Sequence, residues 1–191
     1  MHNPVIVGDR VYLRPMEEGD NDAQARYSAA ETETMMDRWR MPFSPIAFEQ
    51  FLDKLYTHLP PSDVVFAVCL ANDDTMIGVV ELNDIDWIHR TAETGSWIGD
   101  ANYRGKGFGT EAKHLLLEYA FDHIQLHALH AWVIEPNTRS SSALAKQGYR
   151  LAGRQRWVET RDGAHIDALM YDVLRDDWVA ARDTWRASRG D

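Results

Sequence analysis

Apolar and polar residues alternate along Arg10-Val11-Tyr12-Leu13-Arg14 with the period of a half-buried strand, which Pro15 ends before the acidic turn Glu17-Glu18-Gly19-Asp20. A first helix is predicted from about Asp20 to Glu31. Residues Met35 to Phe43 mix large apolar and charged side chains without a clean period. Ser44-Pro45 then supplies an N-cap and first-turn pair for a helix through about His58, with Phe48, Phe51, Leu52 and Leu55 on one face and Pro60-Pro61 as its stop. Strands are predicted at Val64 to Leu70, Met76 to Asn83 and Ala92 to Ile98, the first two joined by the polar turn Asn72-Asp73-Asp74. Beyond a glycine-rich loop the pattern changes to a helix from about Gly107 to His123, then a strand at Ala128 to Ile134. A short helix ends at Gln147 with Gly148 as its left-handed cap, strands follow around Arg150 to Val158 and Ile166 to Val173, and Asp176 to Arg186 closes the chain as a helix.

Strands and helices in this order are mixed rather than strictly alternating, which predicts an α+β fold: a mixed, mostly antiparallel sheet with helices on both faces. At 191 residues the chain is long enough for one well-packed core and short for two, so one domain spanning 1–191 is expected. The formal net charge of −10 argues against nucleic acid or an anionic membrane as a partner and favours a cationic substrate. The single cysteine, Cys69, lies in an apolar run and reads as a buried, inert thiol. No signal-like N-terminus or membrane-length apolar run is present, so a cytoplasmic location is expected.

The chemistry concentrates in Tyr103-Arg104-Gly105-Lys106-Gly107-Phe108-Gly109-Thr110-Glu111-Ala112, where an extended segment gives way to a helix. Alternating glycines let unshielded backbone N–H groups converge at the positive end of that helix, an anion cradle with Arg104 and Lys106 beside it. Charge-assisted hydrogen bonds contribute about 1.5–3 kcal/mol each, enough for three or four amides to hold a diphosphate. A nucleoside-triphosphate loop of the form Gly-x-x-x-x-Gly-Lys-Ser/Thr fails twice, because Asp100 stands at its first glycine and Gly107 at its hydroxyl. The dinucleotide pattern Gly-x-Gly-x-x-Gly fits poorly too, since Gly105, Gly107 and Gly109 run as Gly-x-Gly-x-Gly. Taken alone, the stretch from Arg104 to Gly109 fits an ordinary glycine-rich turn equally well.

The segment resembles the acetyl-CoA pyrophosphate loop of the GNAT acetyltransferases, Gln/Arg-x-x-Gly-x-Gly/Ala, with Arg104, Gly107 and Gly109 at the defining positions. A second likeness is Glu135-x-Asn137-x-x-Ser140 with Gly148-Tyr149, similar to the family's second cofactor segment. Together they span roughly residues 10 to 175 and imply an acetyl-CoA-dependent N-acetyltransferase, with acetyl-CoA as cosubstrate and an amine as acceptor. The resemblance implies that Trp97, Ile98 and Gly99 form an open strand edge, splayed from the next strand, that pairs with pantetheine. It also assigns Arg104, Gly105, Lys106, Gly107, Phe108, Gly109, Thr110, Asn137 and Ser140 to cofactor binding. Ala92-Glu93-x-Gly95-x-Trp97-Ile98-Gly99 looks like the branch of ribosomal-protein alanine N-acetyltransferases, and Gly78-Val79-Val80-Glu81-Leu82 with His89-Arg90 resembles spermidine acetyltransferases. In the latter a tyrosine seven residues after the asparagine protonates the leaving thiolate; here Leu144 stands there.

Amine acylation needs a neutral nucleophile, a donor for the developing oxyanion and a proton for the departing thiolate. At pH 7 an α-amine with pKa about 8 costs only ~1 kcal/mol to deprotonate, against ~4–5 kcal/mol for an alkyl amine near 10.4. Glu81, in the middle of an apolar strand, is the first candidate base and acceptor-side contact, although alternation alone does not choose its face. Glu93 is the second. Ser140, at the position that the ribosomal-protein branch uses, is the candidate thiolate acid or else an ordinary first-turn helix residue; a backbone N–H near Ile98 is a candidate carbonyl donor, and Asn137 either orients the cofactor or caps its helix. Trp39 is a candidate substrate contact. His123, His127 and His130 straddle a helix end, a turn and a strand, so no metal site is expected. The reading is direct acetyl transfer to a protein or peptide N-terminal amine, with a homodimer as a compatible assembly. The alternatives are a polyamine, antibiotic or other small-amine acetyltransferase, and a non-catalytic acyl-CoA-binding or partner-binding module.

Overall fold

A computed structural model describes residues 1–31, 44–46, 49–50, 53, 57 and 59–190. Its elements are β1 (Ile6–Val7), β2 (Val11–Pro15), α1 (Asp20–Ala29), β3 (Val64–Leu70), β4 (Met76–Asp86), β5 (Thr91–Ile98), α2 (Phe108–Glu118), β6 (Ala128–Ile134), α3 (Thr138–Lys146), β7 (Arg150–Arg161), β8 (Ala164–Leu174) and α4 (Arg175–Ala187). Among the described residues eight strands hydrogen-bond in the order β1-β2-β3-β4-β5-β6-β8-β7, a mixed, mostly antiparallel sheet in which β5 and β6 run parallel. The predicted α+β class is the one observed. No helix among the described residues is long and apolar enough to cross a membrane. The chain forms two compact units, residues 1–85 with 95–119, and residues 86–94 with 120–191.

In the first unit β2 pairs with β3 from Val11↔Leu70 to Pro15↔Phe66, and β3 with β4 from Val64↔Leu82 to Val68↔Gly78. Side chains alternate across the sheet, so each strand feeds two layers. Tyr12, Val65, Ala67, Cys69 and Val79 form one buried layer with Met16 and Met76, and Ala23 of α1 and Trp97 of β5 pack against it. The intervening residues, among them Val11, Leu13 and Val68, are fully buried on the other face, where the ring of Phe66 meets Tyr119 edge-on at 4.9 Å, just beyond α2. Burying one such aliphatic side chain contributes about 1.5–3 kcal/mol, and slipping the register by one residue would turn both layers inside out. Helix α1 has little apolar periodicity and no side-chain N-cap; Arg14 holds its start instead. The buried guanidinium of Arg14 forks onto Asp20 at 2.6 and 2.8 Å, and Asp20 also accepts the Glu17 N–H at 2.8 Å. That carboxylate holds the Arg14 guanidinium above its ordinary range.

In the second unit β6 runs antiparallel to β8 from Ala128↔Leu174 to Ile134↔Ala168, and β7 and β8 form a long hairpin. Helix α4 buries Trp178 completely, its ring tilted 30° against Phe121 at 5.5 Å. Gly148 ends α3 with the predicted left-handed φ, +91°. Parallel pairing of β5 with β6 runs from Thr91↔Ala128 to Glu93↔His130.

Candidate active site

Strand β5 stops at Ile98 because the chain turns: the Gly99 and Asp100 N–H groups both donate to the Ile77 carbonyl, at 2.9 and 3.2 Å. The Asp100 side chain then accepts from the Asn102 N–H at 2.9 Å and caps the short turn Ala101–Tyr103. Gly105 and Gly107 follow at φ +71° and +84°, with Gly107 as the cap of α2. An L side chain is strained in that left-handed region, which explains glycine at both positions. The first intrahelical bond is Glu111 N–H to the Gly107 carbonyl at 3.1 Å, so the N–H groups of Phe108, Gly109 and Thr110 precede the helix's own ladder. Residues Gly105, Lys106 and Gly107 are exposed and the next three half-buried. The positive end of α2 is thus presented outward on a loop without bulky side chains at its tightest points.

Arg104 plays a different part in this loop. Its Nε donates to the Ile98 carbonyl at 2.7 Å, Nη2 to the Gly99 carbonyl at 3.0 Å, and the guanidinium forks onto Glu31 at 3.2 and 2.6 Å. The side chain ties the loop to the end of β5, while its backbone remains in the loop. Lys106 carries an exposed side chain, and its carbonyl accepts from Arg10 Nη1 at 3.0 Å.

Glu81 lies opposite Val65 in the β3–β4 register, which puts it on the same face as Tyr12, Ala67, Val79 and α1. Its side chain is buried, with 7 % exposure for the residue. The carboxylate lies directly over Gly95 of β5: a Cβ at Gly95 would stand 2.3 Å from Glu81 Oε1 and 2.5 Å from its Cγ. Glycine at 95 creates the space the carboxylate occupies. Trp97, two residues on, shares this face; its Nε1 donates to Glu31 Oε2 at 3.4 Å and its ring meets Tyr27 edge-on at 6.3 Å. Ile98 points the other way, its Cγ1 3.2 Å from where a Cβ would stand on Gly109. Buried Lys113 of α2 donates to the Gly95 carbonyl at 3.4 Å. The first unit therefore brings together Glu81, Trp97, Ile98, Gly99 and the whole loop through Thr110.

In the second unit Asn137 Oδ1 accepts from the Ser140 N–H at 3.1 Å, the geometry of an N-cap for α3. Ser140 is half-buried in the first turn and Leu144 is buried. Tyr149 is buried with its hydroxyl 2.6 Å from Thr94 Oγ1, and burial pushes its phenol above the ordinary range. Trp39 lies outside the described residues.

Glu111, its partner Arg10, and Glu31 hold this site and are not singled out as site residues by any pattern in the sequence. Glu111, 1 % exposed, accepts from the Arg10 N–H at 2.7 Å, the Val11 N–H at 3.3 Å and Arg10 Nε at 2.9 Å, fastening α2 to the start of β2. Glu31 anchors Arg104 and Trp97. An acid in the first turn of a helix was visible in the sequence as a partner for the helix dipole, but its distant partner Arg10 carried no local signal.

Residues 10–150 match the family profile described as Acetyltransferase (GNAT) domain, and the chain belongs to that family. It is an acyltransferase, and its reaction class is acetyl transfer to an amine. The chain is 29% identical over 109 residues to a putative ribosomal N-acetyltransferase, YdaF, of Bacillus subtilis, covering 57% of this chain and 59% of that protein. It is 27% identical to the spermidine N(1)-acetyltransferase of Escherichia coli K12 over 177 residues, 91% of both chains. Its fold matches a crystal structure of spermidine N-acetyltransferase from Vibrio cholerae in complex with CoA and spermine, with a TM-score of 0.78 at 24% identity over 90% of this chain and 99% of that one.

Proposed function

We propose that this chain, acting as a single catalytic domain, transfers the acetyl group of acetyl-CoA directly to a primary amine, and that the acceptor is a protein or peptide N-terminus. The observation that carries the cofactor is the exposed, left-handed Gly105–Gly107 turn, which offers the Phe108, Gly109 and Thr110 N–H groups at the positive end of α2. Those amides would hold the diphosphate, and the end of β5 around Ile98 would pair with pantetheine, whose amides need backbone partners. When bound, acetyl-CoA supplies an activated thioester carbonyl.

The chain's own contribution is proton management. Glu81 is the proposed base, taking the proton from the attacking amine directly or through a water, on the α1 face of the sheet. Ser140 is the proposed donor to the departing thiolate. The choice of an α-amine over a polyamine rests on Leu144, which leaves no phenol at the position where spermidine enzymes of the family place their acid, and on the small deprotonation cost of an α-amine. The polyamine reading is supported by the similarity to a spermidine acetyltransferase over 91% of both chains and by the acidic net charge, which favours a cationic substrate.

An acetyl-CoA assay read by thiol release, over peptide N-termini, polyamines and aminoglycosides, tests the proposal. Peptides should be turned over with the highest kcat/KM, and Ser140→Ala should lower turnover on the same acceptor. A preference for spermidine would transfer the chain to the polyamine class. Absence of turnover across the panel, with acetyl-CoA still bound, would favour a non-catalytic binding module.

A further inference from the structure

We propose that Arg10, on the turn between β1 and β2, is a recognition residue for the cofactor diphosphate, its Nη2 edge completing the anion cradle at Gly107. The inference rests on the reading of the loop as the acetyl-CoA site and adds a side chain from a segment about a hundred positions away in sequence.

Three contacts hold the guanidinium in place. Nε donates to Glu111 Oε2 at 2.9 Å, Nη1 donates to the Lys106 carbonyl at 3.0 Å, and Cζ lies 4.5 Å over the Phe108 ring. These use Nε and one hydrogen of Nη1, and a guanidinium has five. Nη2 stands 3.2 Å from the point a Cβ would occupy on Gly107, at the left-handed cap of α2. It therefore stands beside the cap from which the N–H groups of Phe108, Gly109 and Thr110 follow. The Arg10 side chain is 37 % exposed, whereas its carboxylate partner is 1 % exposed. Glu111 also accepts the backbone N–H groups of Arg10 and Val11, so the pair is fixed to the start of β2. The outward edge of the guanidinium keeps N–H groups for a further acceptor.

Arg104, the basic residue the loop motif singles out, has turned its side chain to Glu31 and to the carbonyls of Ile98 and Gly99. Arg10 supplies the planar, doubly donating cation that a diphosphate favours, held rigidly enough that little side-chain freedom remains to be lost on binding.

The test is calorimetric titration of acetyl-CoA and of dephospho-CoA, which keeps the diphosphate and lacks the ribose phosphate, into wild type, Arg10→Met and Arg10→Lys, with unliganded melting midpoints alongside. Loss of one charge-assisted contact should weaken both ligands in R10M by the same factor, on the order of tenfold to a hundredfold. R10K should recover part of the loss. Three results would overturn the inference: R10M affinities within about twofold of wild type, a loss for acetyl-CoA alone, which would assign Arg10 to the ribose phosphate, or R10K no better than R10M, which would make the residue a strut only. Wild type binding neither ligand would be a different failure, that of the loop assignment itself, and would be evident before any variant is compared.

Discussion

Replacing Glu81 with Gln should lower kcat/KM for the amine acceptor by about 100- to 10,000-fold, the usual contribution of a positioned general base. The Kd for acetyl-CoA should stay within a factor of two or so, because the diphosphate and pantetheine contacts proposed here do not involve residue 81. Glutamine keeps the size and hydrogen-bonding reach of the carboxylate but accepts no proton at neutral pH. Residual turnover should rise with pH as the acceptor loses its proton to solvent unaided. Steady-state kinetics with calorimetric titration of acetyl-CoA decides the matter. An E81Q enzyme at wild-type kcat/KM would remove Glu81 from the mechanism, and a parallel loss of acetyl-CoA affinity would make its role structural.

Gly95→Ala should reproduce part of that effect without touching a titratable group. Its new methyl would sit 2.3 Å from Glu81 Oε1 and 2.8 Å from Cδ, closer than non-bonded atoms approach, so the carboxylate must swing away. The clash reaches Glu81 Cγ at 2.5 Å, so the whole buried side chain must move, and a melting midpoint near wild type is the check that the fold survives while the base loses its position. We expect kcat to fall at least tenfold, since an ångström of misplacement in a reacting constellation is worth up to about a hundredfold. Adding G95A to E81Q should change little further, because both alter one interaction. Full additivity of the two losses in a double-mutant cycle would show that Gly95 acts on something other than Glu81.

Legibility in the sequence followed physical range. The runs Val64–Leu70 and Ala128–Ile134 were read to the residue because apolar stretches bounded by turn residues have little freedom to be anything but buried strands. The helix after the glycine loop was predicted to continue to His123, but α2 ends at Glu118 and a π turn, Tyr119–His123, takes over. Apolar spacing does not reveal that change in hydrogen-bond step. Strand β7 was underestimated because its exposed residues show no alternation; the hairpin extends through the Asp162-Gly163 turn, both residues having positive φ. The two-residue β1 was too short to leave a pattern.

The loop of the candidate site was legible because its glycines, 105, 107 and 109, alternate within one short stretch of chain. The face of Glu81 was not, and only pairing with Val65 assigns it to the α1 side. Arg104 was predicted as a cofactor contact from its motif position; the side chain's attachment to Glu31, 73 residues away, depends on tertiary structure no local pattern reports. Arg10 and Glu111, 101 residues apart, are a similar case.

Acetyl transfer by this chain requires that the amides at the start of α2 hold the diphosphate of coenzyme A. A crystal structure of the chain with coenzyme A tests it directly. Diphosphate oxygens should lie about 2.7–3.2 Å from the N–H nitrogens of at least two of Phe108, Gly109 and Thr110, the range of a formed hydrogen bond. A diphosphate bound elsewhere, or a Gly105–Gly107 turn rearranged so that those amides face the protein, would contradict it.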